Sequence, residues 1–395
     1  MMGMTLSKAP PLSRFKVLDL TRVRSGPTAV RQFADWGADV LMVENKGGAT
    51  DVGAGRHSSD FQNLNRNKRS LELDLKSAAG REIFYRLADQ ADVLFENFRP
   101  DVKHRLGIDY ETLAARNPRL VYVSISGFGQ EGPYAGRPGL DQIIQGLGGL
   151  MSITGLPGQG PVRAGVAVAD TSAGLYAALG AMTALLEREV TGKGRWVTTS
   201  LLQAQIAVLD FQAARWLVDG EVPPQAGNDH PTASAMGLFP AADGQINLAA
   251  SGTSMFAKFC RAAEAEHLLQ DPRFAPRPKA RYRAELNAAI AEITRRRPAA
   301  HWIEVLNAVG VPCGPVNTIE QVFADPQVSH LGVTQPVDHP SLGRLDLVGQ
   351  PLALNGSHGG PCAPAPEPGQ HTDAVLAELG YSPGEIADLR ARGVI

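Results

Sequence analysis

Asp170 stands between a short apolar run, residues 166–169, and a long row of helix formers, residues 175–189. At such a junction an aspartate has two uses. Its carboxylate can cap the helix by accepting from the first free N–H groups. It can also face a ligand, because strand-to-helix junctions of open α/β sheets are where ligands bind. The same N–H groups would steady a carboxylate and any oxyanion formed beside it. Two basic turns add a second kind of chemistry. Asn67-Lys68-Arg69-Ser70 comes just before a strand pattern, and Asn97-Phe98-Arg99, followed by Arg105, comes directly after another. Each reads either as a solvated turn or as a phosphate clamp, since arginine and lysine both bind phosphate well. Two such turns at strand ends of one sheet point to an anionic ligand.

Other motifs lead nowhere. Gly127-Phe128-Gly129-Gln130-Glu131-Gly132 spells G-x-G-x-x-G after a strand-like run. A dinucleotide site needs that loop to open a helix. Pro133, Gly136 and Pro138 follow at once, so a glycine-rich surface loop is the better reading and a nicotinamide-dependent oxidoreductase becomes a distant alternative. There is no P-loop, no H-E-x-x-H and no G-x-S-x-G. The nine histidines are scattered, so no metal site is expected.

The elements that must carry these residues alternate. Apolar runs at residues 15–20, 39–43, 92–95 and 120–124 read as strands, with helices expected at 28–36, 79–90 and 110–115. Leu71, Leu73 and Leu75 alternate with polar residues, the period of a half-exposed strand. Residues 166–169 read as one more strand before Asp170, with a strand at 196–200 and a helix at 203–218 behind it. This rhythm predicts an α/β fold with a mostly parallel sheet covered on both faces. A composition shift near Pro223 and Pro224 opens a smaller α+β domain, which holds a hairpin turn at Asp243-Gly244. The expected organisation is 1–225 for the first part of the large domain, 226–325 for the small domain and 326–395 for a return to the large one, closing with two helices at 372–392.

Bulk properties exclude several classes. With 44% hydrophobic and 20% charged residues, the 395-residue chain has globular composition, and a net charge of −2 speaks against nucleic-acid binding. Cys260, Cys313 and Cys362 are far apart and form no C-x-x-C pair, which fits a reducing compartment. Residues 1–12 do not read as a signal peptide, and no apolar stretch reaches the roughly 18 residues of a membrane span. A cytoplasmic protein is expected.

The motifs, in their order, resemble the class III CoA-transferases of the CaiB/BaiF type, which include the formyl-CoA, carnitine and bile-acid CoA-transferases. The resemblance is carried by Val17-Leu18-Asp19-Leu20-Thr21-Arg22-Val23-Arg24-Ser25-Gly26-Pro27, then Gly37-Ala38-Asp39-Val40, Asn67-Lys68-Arg69-Ser70, and Glu96-Asn97-Phe98-Arg99-Pro100. Pro138-Gly139-Leu140-Asp141, Val168-Ala169-Asp170, Cys313-Gly314-Pro315-Val316 and Gly369-Gln370-His371-Thr372 continue it over nearly the whole chain.

The resemblance implies a Rossmann-like large domain, a small domain, and two chains interlocked in a homodimer. It implies that Asp170 matches the nucleophilic aspartate and that Asp141 lies close to it. Val23, Arg24, Asn67, Lys68, Arg69, Ser70, Asn97, Phe98, Arg99, Arg105, Pro138, Gly139 and Leu140 fall where members contact CoA. Asn45 and Arg24 depart from the pattern, the first where some members carry arginine, the second where the formyl type carries glutamine. The α-methylacyl-CoA racemases share the fold, but they place a histidine where this chain has Leu140, which ranks that isomerase reading second. Isolated Gly237, Gly244 and Gly252 in place of a glycine run argue against the formyl type.

The implied partners are an acyl-CoA and a carboxylic acid, with CoA thioester as substrate and no permanently bound cofactor. An aspartate near its ordinary pKa of about 3.9 is ionised at neutral pH and attacks without a base. A mixed anhydride and then an aspartyl-CoA thioester would follow, with backbone donors near residues 146–149 and at the Asp170 helix holding the oxyanions.

Overall fold

The computed structural model describes residues 9–46, 55–275, 280–360 and 362–395. The leader expectation falls largely on residues 1–8, outside the described residues. The chain forms two compact units, one of residues 1–148, 165–210 and 331–395, the other of residues 149–164 and 211–330.

The first unit is built on six parallel strands. In chain order its elements begin with β1 (Lys16–Asp19), α1 (Ser25–Asp35), β2 (Asp39–Glu44), α2 (Ser59–Asn65) and β3 (Arg69–Glu72). Then come α3 (Ala78–Ala88), β4 (Val93–Glu96), α4 (Pro100–Leu106), α5 (Tyr110–Arg116), β5 (Val121–Ser126) and α6 (Asp141–Leu147). After the single turn α7 (Leu150–Ile153), which belongs to the other unit, follow α8 (Val168–Thr191), β6 (Trp196–Ser200) and α9 (Leu201–Val208). The strand order is β3-β2-β1-β4-β5-β6. Strand order reverses between β1 and β4, which pair through Val17–Val93, Leu18–Leu94 and Asp19–Phe95. In such a sheet the loops leaving those two strands diverge to opposite faces and open a crevice at their carboxyl ends.

Period-two alternation with apolar residues on both sides explains why the sheet is covered twice. Val17, Val40, Val93, Phe95, Val121 and Val123 face one core, with Phe33 of α1 and the alanines of α8. Leu18, Leu41, Leu71, Leu94 and Tyr122 face the other, with Phe84 of α3 and Val375, Leu376, Ile386 and Leu389 of the two C-terminal helices. Those helices, Thr372–Glu378 and Pro383–Ala391, lie where the sequence predicts them. Leu71, Leu73 and Leu75 are all buried, although β3 itself stops at Glu72.

Helix α8 matters most for the site. Its buried face is a stripe of small residues, Ala169, Ala173, Gly174, Ala177, Ala178 and Ala181, which lets it lie close against α1. A Cβ on Gly174 would stand 2.5 Å from the Ser25 carbonyl oxygen and 2.8 Å from Thr28 Cβ. No side chain fits there, so the starts of α1 and α8 are in direct backbone contact. Asp170 is four residues before Gly174 and shares its face, so it is turned toward the start of α1.

The second unit is α+β. Strands Met236–Pro240, Gln245–Ala249 and Cys313–Gly314 form an antiparallel sheet, with the expected Asp243-Gly244 turn inside its hairpin. Phe239, Ile246, Leu248, Phe256, Phe259, Trp302 and Leu306 make its core. Among the described residues, no helix is long and apolar enough to cross a membrane.

Candidate active site

The residues that converge do so at the switch point between β1 and β4. The loop leaving β1 is fixed at both ends. Asp19 closes it by accepting from the Thr21 N–H at 2.9 Å and from the Thr21 hydroxyl at 2.5 Å. Asn97, leaving β4, grips Arg22 with both halves of its amide: Oδ1 accepts from the Arg22 N–H at 2.9 Å, and Nδ2 donates to the Arg22 carbonyl at 2.7 Å. Between these anchors Val23 adopts φ 65°, a left-handed conformation that β-branched residues resist, and its side chain is exposed. Backbone strain of this kind costs on the order of 1–3 kcal/mol and persists where neighbours enforce it. Here the enforcing neighbour is Asn97. The loop then delivers Arg24 to the start of α1, where its guanidinium meets Asp60 at 2.8 Å.

Asp170 is in the first turn of α8, but it is not the N-cap. The helix begins at Val168, its cap residue is Ala167, and no side chain of the cap position bonds to it. The expected strand at 166–169 is absent; those residues form a bend and the first turn of the helix. Capping comes from another helix. Asp141 opens α6, is buried, and accepts at Oδ1 from the N–H groups of Ala169 at 3.0 Å and Asp170 at 3.5 Å. Its Oδ2 accepts from Gln145 Nε2 at 2.7 Å. So Asp141 is not a surface acid, and two of the N–H groups that the sequence offered to an oxyanion are taken by its carboxylate. The Gly148 N–H is also engaged, by the Ile144 carbonyl at 2.7 Å.

Among the described residues, none donates a hydrogen bond to the Asp170 carboxylate. Burial pushes its pKa up, the charge of Asp141 pushes it further, and Arg24 pulls it back; the result is about 6. This differs from the ordinary carboxylate expected from sequence. The reasons are burial first and then a charged neighbour 29 positions upstream, neither of which a local pattern reveals.

Asn67-Lys68-Arg69-Ser70 runs into β3 and Asn97-Phe98-Arg99 leaves β4, and both turns reach the end of β1 and the loop after it, Lys68 through Asp19 and Asn97 through Arg22. The first turn is also fully engaged. The Lys68 ammonium is buried against Asp19 at 2.7 Å and Asn65 at 2.9 Å. Arg69 pairs with Asp39 and Glu378, both at 2.9 Å. Asn67, in the left-handed region at φ 62°, exchanges hydrogen bonds with the Ala363 backbone, and its Nδ2 donates to Asp35. Ser70 is buried, donates to Glu44 at 2.5 Å, and accepts from the Gly369 N–H at 2.8 Å. In the second turn Phe98 packs onto the core beside α3. Arg99 and Arg105 keep exposed guanidinium groups, with Asp101 between them at 3.9 and 3.4 Å.

Pro138, Gly139 and Leu140 lead into α6. Gly139 is in backbone contact with Gly127, since a Cβ on either would stand 2.8 Å from the other's Cα. The first glycine of the G-x-G-x-x-G run therefore serves chain packing, and the next helix after that run begins only at Asp141. Leu140 is 56% exposed. Two residues were missed by sequence. Gln145 stands four positions after Asp141, the spacing of side-chain pairs on one helix face. Lys103 is buried with Glu96 at 2.9 Å, Ser124 at 3.0 Å and Gln130 at 2.6 Å, and no pattern marked it.

Comparison with known proteins identifies the family. The sequence pattern of CoA-transferase family III matches residues 12–372. The succinate–glutarate CoA-transferase of Agrobacterium fabrum is 37% identical over 94% of this chain and 96% of its own. The human succinyl-CoA:glutarate CoA-transferase is 33% identical over 99% of this chain and 91% of its own. Among solved structures, a CAIB/BAIF family protein from Brucella suis superposes with a TM-score of 0.81 at 35% identity, covering 94% of this chain and all of that one. Together with the parallel α/β sheet and its β1–β4 switch point, these likenesses place the chain in CoA-transferase family III, as an enzyme acting on CoA thioesters.

Proposed function

We propose that this enzyme exchanges CoA between the thioester of one short dicarboxylic acid and a second such acid, with Asp170 as the nucleophile. The observation that carries the reading is a carboxylate without a hydrogen-bond donor among the described residues, at a helix start, beside Arg24. With a pKa of about 6 it is roughly nine-tenths ionised at pH 7, so it needs no base. Because no donor among the described residues holds it, none of their hydrogen bonds has to break before it attacks.

One carboxylate oxygen of Asp170 adds to the thioester carbonyl. The C–S bond breaks and CoA leaves as thiolate, giving an acyl-aspartyl anhydride. The thiolate then attacks the aspartyl carbonyl, the anhydride C–O bond breaks, and the donor acid departs as its carboxylate. The acceptor carboxylate attacks the aspartyl-CoA thioester, and the same steps run in reverse. Electrons and atoms balance without redox chemistry or water, and no bound cofactor is required. Arg24 is placed to offset the charge of an incoming carboxylate. Arg99 and Arg105, the exposed cations after β4, are the groups we assign to the phosphates of CoA. The dicarboxylate class is supported by the relatives: the two named above act on succinate and glutarate, and a Chloroflexus aurantiacus relative at 31% identity is a succinyl-CoA–D-citramalate CoA-transferase.

We further propose a homodimer in the cytoplasm. Leu186 and Val190 on α8 are 72% and 89% exposed, with Leu179 on the same helix at 61%, an apolar face suited to a second copy. The free cysteines suit a reducing compartment. The test of the reaction is incubation with succinyl-CoA and hydroxylamine followed by peptide mass spectrometry. A hydroxamate on Asp170 is expected. Its absence, together with full activity of Asp170→Ala, would remove the mechanism. A panel of dicarboxylic acids offered with succinyl-CoA tests the substrate class, and exchange confined to monocarboxylic acids would overturn it.

A further inference from the structure

We infer that Gln145 is a positioning residue for the transfer reaction, acting on Asp170 through Asp141. The inference rests on the reading of Asp170 as nucleophile. Gln145 is fully buried within α6. Its Nε2 has two tasks: it donates to Asp141 Oδ2 at 2.7 Å and to the Val166 carbonyl at 3.0 Å, just before α8. Asp141 in turn holds the first N–H groups of α8 through Oδ1. One amide therefore fixes both the approach to α8 and the carboxylate that caps it. The backbone under Asp170 is set from two sides, and the donors that could tie up the Asp170 carboxylate are occupied by Asp141.

The charged groups facing Asp170 can be named element by element. α6 brings Asp141, and the start of α1 brings Arg24, itself paired with Asp60 of α2. α9, which also packs on α8, has the sequence LLQAQIAV and carries no charge. Without the Gln145 donor Asp141 is held less firmly and its grip on the start of α8 loosens, so the N–H groups it releases can turn to the Asp170 carboxylate and favour its charged form. The direction follows: Asp170 ionises more readily but is less well aimed.

The test is Gln145→Met, which keeps length and volume but removes the donor. We expect kcat to fall about ten- to hundredfold, the range for a small misplacement of a reacting group. KM for succinyl-CoA should stay near that of the unaltered enzyme, and the acid limb of kcat/KM should move to lower pH. An unchanged kcat overturns the inference. So does a lower kcat with an unmoved acid limb, because a purely structural role would lower stability and active fraction without touching that limb. Should Gln145→Met fail to fold, Gln145→Asn, which withdraws the amide by one methylene, is read by the same criteria. Hydroxylamine trapping on the unaltered enzyme separates the two failures: no adduct at Asp170 and an active Asp170→Ala would defeat the nucleophile itself, whatever Gln145 does.

Discussion

Replacing Asp170 by asparagine should make the protein more stable and inactive. In the folded chain the carboxyl group has a pKa of about 6, against an ordinary value of 3.8. The causes are burial first and the charge of Asp141 second. For an acid with a raised folded pKa, the folded state holds the proton more tightly than the unfolded state does. Its cost to stability is therefore absent below the unfolded pKa, grows between about pH 4 and pH 6, and is complete above that. Each pKa unit is worth about 1.4 kcal/mol, so ionised Asp170 costs at most about 3 kcal/mol at pH 8. Asparagine has nearly the same shape and cannot ionise. Urea unfolding of both proteins at one protein concentration should show the variant more stable at pH 8 by up to about 3 kcal/mol, with roughly half of that gain left at pH 5. Exchange of CoA should fall by roughly a thousandfold or more, as when a nucleophile is removed. A variant no more stable than the parent at pH 8, or a gain that does not fade in acid, would refute the reasoning.

The same carboxylate sets the rate profile: kcat/KM for succinyl-CoA should decline below pH 6 as Asp170 takes up its proton, and a flat profile down to pH 4.5 would contradict it. Gly174→Ala should lower the melting temperature and the exchange rate together, because a Cβ 2.5 Å from the Ser25 carbonyl must drive α1 and α8 apart; overpacking of this kind costs about 1–3 kcal/mol. Lys103→Met strands the buried Glu96 carboxylate and should cost about 3–5 kcal/mol in urea unfolding, with part of the loss recovered when Glu96→Gln is added. Arg99→Ala with Arg105→Ala should raise KM for acyl-CoA and leave the unfolding midpoint nearly unchanged, whereas Lys68→Ala should lower that midpoint, since Lys68 is buried against Asp19 and the two arginines are exposed.

The parallel sheet is readable in sequence because strands buried on both faces are continuous apolar runs between turn residues. Residues 15–20, 39–43 and 92–95 accordingly become β1, β2 and β4 with shifts of a residue or so. Residues 166–169 mislead for the same reason. Four apolar residues in a row suit a buried strand and a buried helix start equally, and only the packing of α8 on α1 decides. Helix α4 escapes notice because its cap is Arg99, which makes no side-chain cap bond, and the proline at its first position is also a turn signal. The hydrophobic face of α6 is short, and Gly146 within it, with Gly148 and Gly149 just after it, suggests a loop.

Charge is harder to read than apolarity, because a charged residue announces itself while its partner does not. Lys68 finds Asp19 49 positions away, and Arg69 finds Glu378 309 positions away, so a basic turn that resembles a phosphate clamp is committed inside the fold. Asp170 shows the reverse. Helix starts ordinarily bind the nearest carboxylate, and an aspartate in the first turn is the obvious one. In this fold the first N–H groups of α8 are claimed by Asp141 from α6, and Asp141 is itself gripped by Gln145. Among the described residues Asp170 is left without a donor, and its burial and the like charge beside it raise both its pKa and its readiness to share an electron pair. The two aspartates meet at the start of α8, Asp141 from α6 and Asp170 from α8 itself, and the backbone there has already taken the first. On that ground the committed acid holds the helix, and the uncommitted acid is the one we propose as the nucleophile.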